Sequence, residues 1–222
     1  SRTTRARYLY MLADRSPADA VEFINGIPDH DRQYEYVSWL AHYLAARDPE
    51  LALGFGNQFV SARSGDAFRS IIKREIAREN PRSVLERLIA DDISSSQSAE
   101  LRSAFSALAK TDFEAAVQYM ERIRSTEMRR QFASVIAREM AKQDPDRALD
   151  WARENDRHDF PQVVMSVLHE LASTDPGRAI AEAQALQGAG TSHFLLPNLM
   201  RQIARENPDE AVAYLDQITN PD

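Results

Sequence analysis

Apolar positions in this chain return with a period of about 32 residues. A short motif marks each turn of the pattern: Ser16-Pro17, Asp48-Pro49, Asn80-Pro81, Asp112-Phe113, Asp144-Pro145, Asp175-Pro176 and Asn207-Pro208, with steps of 32, 32, 32, 32, 31 and 32. Four residues before the proline (Phe113 in the fourth copy) stands alanine in every copy: Ala13, Ala45, Ala77, Ala109, Ala141, Ala172 and Ala204. The position before it is always apolar (Leu12, Leu44, Ile76, Leu108, Met140, Leu171, Ile203), and so is the ninth before the proline (Tyr8, Leu40, Ile72, Ala104, Ile136, Val167, Leu199). Spacings of four and five place these positions on one helix face. Three residues after the proline come Ala20, Ala52, Val84, Ala116, Ala148, Ala179 and Ala211. Beside them run Val21, Leu53, Leu85, Val117, Leu149, Ile180 and Val212, the buried stripe of a second helix.

The motif between the two stripes closes one helix and opens the next. Ser, Asp and Asn side chains accept hydrogen bonds from the open amides of a first helical turn, and proline at the first helical position loses no bond. Small alanines on both sides let the two backbones approach closely. The pattern therefore predicts seven helical hairpins. First helices fall near 3–14, 32–46, 66–78, 98–110, 128–142, 160–173 and 193–205, and second helices near 17–26, 49–62, 81–90, 113–124, 145–154, 176–187 and 208–218. Predicted loops include Gly26-Ile27-Pro28-Asp29, Ser64-Gly65-Asp66, Ser94-Ser95-Ser96 and Gly188-Ala189-Gly190-Thr191. Residues 91–98 form the least regular junction and the expected hinge. Pro161 suits a first helical turn, while Pro197 is expected to delay or kink its helix. A hairpin of this size cannot bury its own apolar faces, so it must stack on its neighbours. The expected fold is an all-α solenoid forming one domain over residues 1–222.

Composition narrows the partners. The formal net charge is −7 and 27% of residues are charged, so general attraction to nucleic acid or anionic membrane is not expected. All but Lys73, Lys110 and Lys142 of the 27 cations are arginine, a skew that genome composition alone can produce. Cysteine is absent, which removes disulfides, thiolate metal sites and cysteine nucleophiles. No apolar run is long enough to span a bilayer. The chain starts without methionine, which suggests a fragment of a longer protein, and its compartment, cytoplasmic or periplasmic, is left open.

Asp112-Phe113-Glu114-Ala115-Ala116-Val117-Gln118-Tyr119 resembles the opening of the second helix of a tetratricopeptide repeat (TPR). Asp144-Pro145-Asp146-Arg147-Ala148-Leu149-Asp150-Trp151 and Asn207-Pro208-Asp209-Glu210-Ala211-Val212-Ala213-Tyr214 are similar. The likeness covers essentially the whole chain. It departs in a period of 32 rather than 34, and in lacking a regular glycine in the first helix and proline after the second. The resemblance implies a right-handed superhelix whose inner face holds peptides or partner domains without catalysis.

Candidate chemistry lies in two places. Seven residues before each proline stand Tyr10, His42, Arg74, Ser106, Arg138, His169 and Arg201, and one turn later Asp14, Ala46, Arg78, Lys110, Lys142, Ser173 and Arg205. Both columns share a face of the first helices, giving a mainly basic stripe. Arginine forks on such a stripe would take an acidic peptide or a carboxylate. The plainer alternative is a solvated face whose last-turn cations complement helix dipoles. Near the N-terminus, Tyr10, Tyr36, Trp39 and Tyr43, with Tyr8 and Tyr34, form either an aromatic pocket or terminal packing. Phe23, Phe55, Tyr119, Trp151 and Tyr214 are expected between helices. His30, His42, His158, His169 and His193 follow no metal-ligand pattern, and no phosphate loop is present. The expectation is thus a non-enzymatic scaffold or adaptor, bacterial in type, with no cofactor and no metal, that binds another protein or peptide, possibly an acidic one. The alternative is a sensor module that takes an anionic small ligand or nucleic acid through the arginine stripe.

Overall fold

The computed structural model describes residues 2–90, 97–156, 161–188 and 195–219. Fourteen α-helices make it all-helical, with no strand among the described residues. They run α1 (Arg2–Arg15), α2 (Pro17–Asn25), α3 (His30–Ala45), α4 (Pro49–Leu53), α5 (Ala62–Glu79), α6 (Pro81–Ala90) and α7 (Ser98–Thr111). Then follow α8 (Phe113–Glu121), α9 (Thr126–Ala141), α10 (Pro145–Asp156), α11 (Pro161–Ala172), α12 (Pro176–Gly188), α13 (Leu195–Glu206) and α14 (Pro208–Thr219). Residues 91–96 of the expected hinge, with the Ser94-Ser95-Ser96 loop, lie outside the described residues, as do Ala189 to Thr191, His158 and His193.

The cap motif works as the sequence chemistry demands. The amides of Ser16, Asp48, Asn80, Asp144, Asp175 and Asn207 each donate to the carbonyl four residues back, ending one helix. The side chains of Ser16, Asp48, Asp112, Asp144 and Asp175 then accept from the amide three residues on, starting the next. First helices have caps of their own at Asp29, Ser61 and Ser125.

The chain divides into two compact units, Ser1–Leu108 and Ala109–Asp222. In the first, α3 packs on α1 and α2, and α5 packs on α3 and α4. In the second, α11 packs on α9 and α10, and α13 on α11 and α12. Each of these first helices thus lies against both helices of the hairpin before it. The core follows the apolar columns: Ala20, Ala116, Ala148 and Ala179 are fully buried within their hairpins, and Phe68, Phe105 and Phe132 are its largest fully buried side chains. One polar link lies inside the first unit. Buried Gln33 donates to the carbonyl of Ile24 and accepts from the Ser64 hydroxyl, which ties three successive hairpins.

The junction of the second and third hairpins corrects two expectations. The helix expected over 49–62 ends at Leu53, passes into a 3-10 turn over Gly54–Gln58 and leaves it extended at Phe59. Asn25 holds that turn from the preceding hairpin, donating to the carbonyl of Gln58 and accepting from the amide of Val60. Ser64-Gly65-Asp66, expected as a loop, belongs to α5, which starts at Ala62 behind the Ser61 cap. Glycine at 65 lets the Gly56 backbone pass close to this helix: a β-carbon there would stand 2.5 Å from the Gly56 carbonyl oxygen. Pro197 falls in the first turn of α13, where an amide has no intrahelical partner to lose.

Candidate functional site

The basic stripe resolves into two kinds of cation. Some are held by acids of the protein itself. In the first unit, Glu75 lies 3.1 Å from Arg78 and 3.8 Å from His42. In the second, Glu139, only 6% exposed, lies between Lys110 at 3.9 Å and Lys142 at 3.4 Å. Both acids occupy the sixth position before their proline, between the two columns from which the stripe is built. The same column supplies Tyr43, whose hydroxyl donates to Asp14 at 2.6 Å, and Gln202, whose amide donates to the His169 carbonyl at 3.2 Å. One column of the first helices therefore supplies polar links to the preceding first helix. Reading the two cationic columns without the position between them missed Glu75, Glu139 and Gln202.

The other cations are Arg74 in the first unit and Arg138, Arg201 and Arg205 in the second. All four are exposed, and none forms an ion pair among the described residues; Arg201 donates only to the Asn198 amide oxygen, at 3.0 Å. Arg201 and Arg205 line an open groove of about 820 Å³ across α9, α11 and α13. Its walls also carry His169, Gln162, Ser166, Asn198, Gln202 and Glu206, with Ser134 and Met165 completing it. Ser134, Gln162, Met165, Ser166 and Asn198 sit one turn or two along the same helix faces as the predicted columns, and Gln202 and Glu206 directly follow Arg201 and Arg205 in sequence, so the groove extends the stripe lengthwise. Their polar character at helical spacing was the signal available in the sequence.

His169 is the member of this groove whose chemistry is most altered. Burial lowers its pKa below the ordinary 6.5; neighbouring Arg138 lowers it further, and Glu206 opposes them. The ring is accordingly neutral at pH 7 and adds no charge to the groove. Its Nε2 and the Gln202 Oε1 are both buried without a hydrogen-bond partner in the structure. The Gln202 amide nitrogen is fixed by the His169 carbonyl and by Glu206 at 3.0 Å, which sets the direction of its oxygen. The positive character of the groove rests on arginines, with Glu206 as the acid lining it.

The aromatic residues separate into two arrangements in the first unit. Tyr36 is buried, its ring against Phe23 at 5.7 Å and Trp39 at 5.1 Å. Tyr10 and Tyr43 stack nearly parallel at 4.2 Å, joining α1 to α3. Arg47 covers the outer face of Tyr43 at 3.6 Å and reaches Asp14 at 3.2 Å. Burial, and then the hydrogen bond to Asp14, raise the Tyr43 pKa. Aromatic area here mostly joins helices to one another.

On the second helices of the second unit, ion pairs link successive hairpins. Arg147 meets Glu114, Arg178 meets Asp146, and Arg153 meets Glu182 at 2.6 Å. Where this series would continue, Gly177 makes room for Tyr214, whose hydroxyl would lie 3.3 Å from a β-carbon at that position. No described helix is long and apolar enough to cross a membrane. Comparison of the chain with protein-family models, with curated proteins and with solved structures finds no match.

Proposed function

We propose that the chain is a protein-interaction scaffold or adaptor of the TPR-like kind, its seven hairpins continuing as a right-handed solenoid, and that it binds without catalysing. The groove across α9, α11 and α13 takes an acidic peptide segment of a partner protein. One observation carries this reading: Arg201 and Arg205 line one groove, Arg138 acts on its His169, and none of the three forms an ion pair among the described residues although Glu206 also lines the groove, whereas Lys110 and Lys142 close on Glu139. Exposed arginine forks gain charge-assisted, bidentate bonds from a carboxylate at little cost in desolvation. The neighbour-to-neighbour packing within each unit supports the repeat reading. The groove is open across three helices, which suits an extended peptide better than an enclosed small molecule.

The test is fluorescence anisotropy of labelled acidic, neutral and basic peptides. Binding is expected for acidic sequences only, and it should weaken as salt rises. Arg138→Glu, Arg201→Glu and Arg205→Glu together should remove it with helicity unchanged. Equal binding by the triple variant, or preference for neutral peptides, would overturn the assignment. A salt slope as steep as several released counterions, with single-stranded nucleic acid outcompeting peptide, would favour the anionic-sensor alternative.

A further inference from the structure

Of the seven asparagines in the chain, Asn25 alone is followed by glycine, while Asn80, Asn207 and Asn220 precede proline, whose nitrogen has no proton to lose. The carbonyl carbon of an asparagine side chain is open to attack by the amide nitrogen of the next residue, and glycine there puts no β-carbon in the way. Gly26 is exposed, so base and water reach its amide. The Asn25 side chain is thus chemically labile, and the structure gives it a task.

Asn25 is the last residue of α2, and its side chain uses both ends of its amide to hold the 3-10 turn of the second hairpin. It donates to the Gln58 carbonyl at 3.0 Å and accepts from the Val60 amide at 3.0 Å. The Gly26 amide is engaged as well, donating to the Glu22 carbonyl at 3.1 Å. Held along the helix in this way, its nitrogen points away from the Asn25 side-chain carbon and cannot attack. Reaction needs the last turn of α2 and the 54–60 segment to open together.

We propose that Asn25 is a deamidation site gated by opening of the 54–60 segment, and that its product cannot close the segment again. In the opened state the Gly26 nitrogen, its proton taken by hydroxide, bonds to the Asn25 side-chain carbon. The NH2 group takes up a proton and leaves as ammonia. Water then adds to the five-membered imide at either carbonyl and breaks one of its two C–N bonds. One cleavage leaves aspartate at position 25, and the other leaves isoaspartate, with the main chain rerouted through the side-chain carbon.

Release follows because a carboxylate accepts and does not donate. The bond from the Val60 amide survives, but the Gln58 carbonyl faces an oxygen in place of its donor, losing a hydrogen bond and gaining a repulsion. Isoaspartate also adds a methylene to the main chain and carries the Gly26 amide out of register with Glu22. The turn keeps its contacts with α5, Asn57 with Arg69 at 2.8 Å and Phe59 against Phe68 at 5.2 Å, so the link lost is the one to α2. Deamidation is a one-way release of that link, set in the first unit and independent of the arginine groove in the second.

The experiment follows position 25 by peptide mass spectrometry in the folded 222-residue chain at mildly alkaline pH, with urea-unfolded chain alongside. Aspartate and isoaspartate should accumulate there in both, slowed between about tenfold and about a hundredfold by the fold. Gly26→Ala should suppress the reaction in both states and leave the thermal melt unchanged, because its β-carbon meets nothing closer than 3.5 Å at a φ of −78°. Val60→Pro removes the amide that donates to Asn25, at a position 86% exposed, and should quicken the reaction in the folded chain alone. Should that variant unfold, Asn57→Ala, which frees the turn from Arg69, serves in its place. In Asn25→Asp, amide hydrogen exchange should be faster across 54–60 and unchanged in the middle of α5. Equal rates in the folded and unfolded parent, no product in the folded chain after about a hundred unfolded half-lives, or a folded rate untouched by loosening the turn would overturn the gating. Exchange across 54–60 as slow in Asn25→Asp as in the parent would overturn the release.

Discussion

A methyl group added at Gly65 would meet the carbonyl oxygen of Gly56 at 2.5 Å, a backbone atom with little freedom to yield. Replacing a mid-helix glycine by alanine ordinarily stabilises by about 1 kcal/mol, so the sign of the effect here is diagnostic. Gly65→Ala should destabilise by about 1 to 3 kcal/mol in urea unfolding, as overpacking does. Gly54→Ala, with nothing within 4 Å of its added carbon, should be close to neutral. Glycine and serine at 64–65 read as a loop in sequence because the crossing backbone nine residues earlier is a tertiary event, invisible to local propensity. His169 gives a second residue-scale prediction. Its folded pKa lies below the ordinary 6.5, so the unfolded chain binds the extra proton first. The stability it contributes is complete above about pH 6.5 and is lost as pH falls through the folded value. Thermal melts of the parent and His169→Gln should therefore converge or cross as pH drops from about 7 to about 5, with the parent losing more.

At the scale of elements, the sequence is most legible where one side chain has one local task. Ser16, Asp48, Asp112, Asp144 and Asp175 cap helices as their chemistry and the following residue require. The alanine and branched columns lie in the core because helical spacing leaves them no other side. Ala141, buried near the close of α9, tests that pairing directly. Ala141→Leu should overpack the α9–α10 contact and lower stability by about 1 to 3 kcal/mol, whereas a parent-like denaturation curve would show that the helices pair differently. Ion pairs across hairpins were not anticipated, since they join residues about one period apart and only some repeats carry both partners. Being largely exposed, they should matter little: the coupling between Arg178 and Asp146 in a double-mutant cycle should not exceed about 1 kcal/mol. The break after Leu53 escaped notice for a related reason, because Asn25 in the preceding hairpin helps hold it.

At the scale of the whole molecule, an acidic chain concentrates unmatched arginines where three first helices of the C-terminal unit share a groove. The cationic columns were readable, but their division into engaged and unengaged members was not. That division depends on Glu75 and Glu139, one residue from the stripe and facing the preceding helix. The most direct test of the account is selection from a random peptide library on the immobilised chain, run in parallel on the Arg138→Glu, Arg201→Glu, Arg205→Glu variant. The parent should enrich sequences rich in Asp and Glu, and the variant should not. Enrichment of neutral or basic sequences by the parent, or the same acidic sequences recovered on the variant, would contradict it.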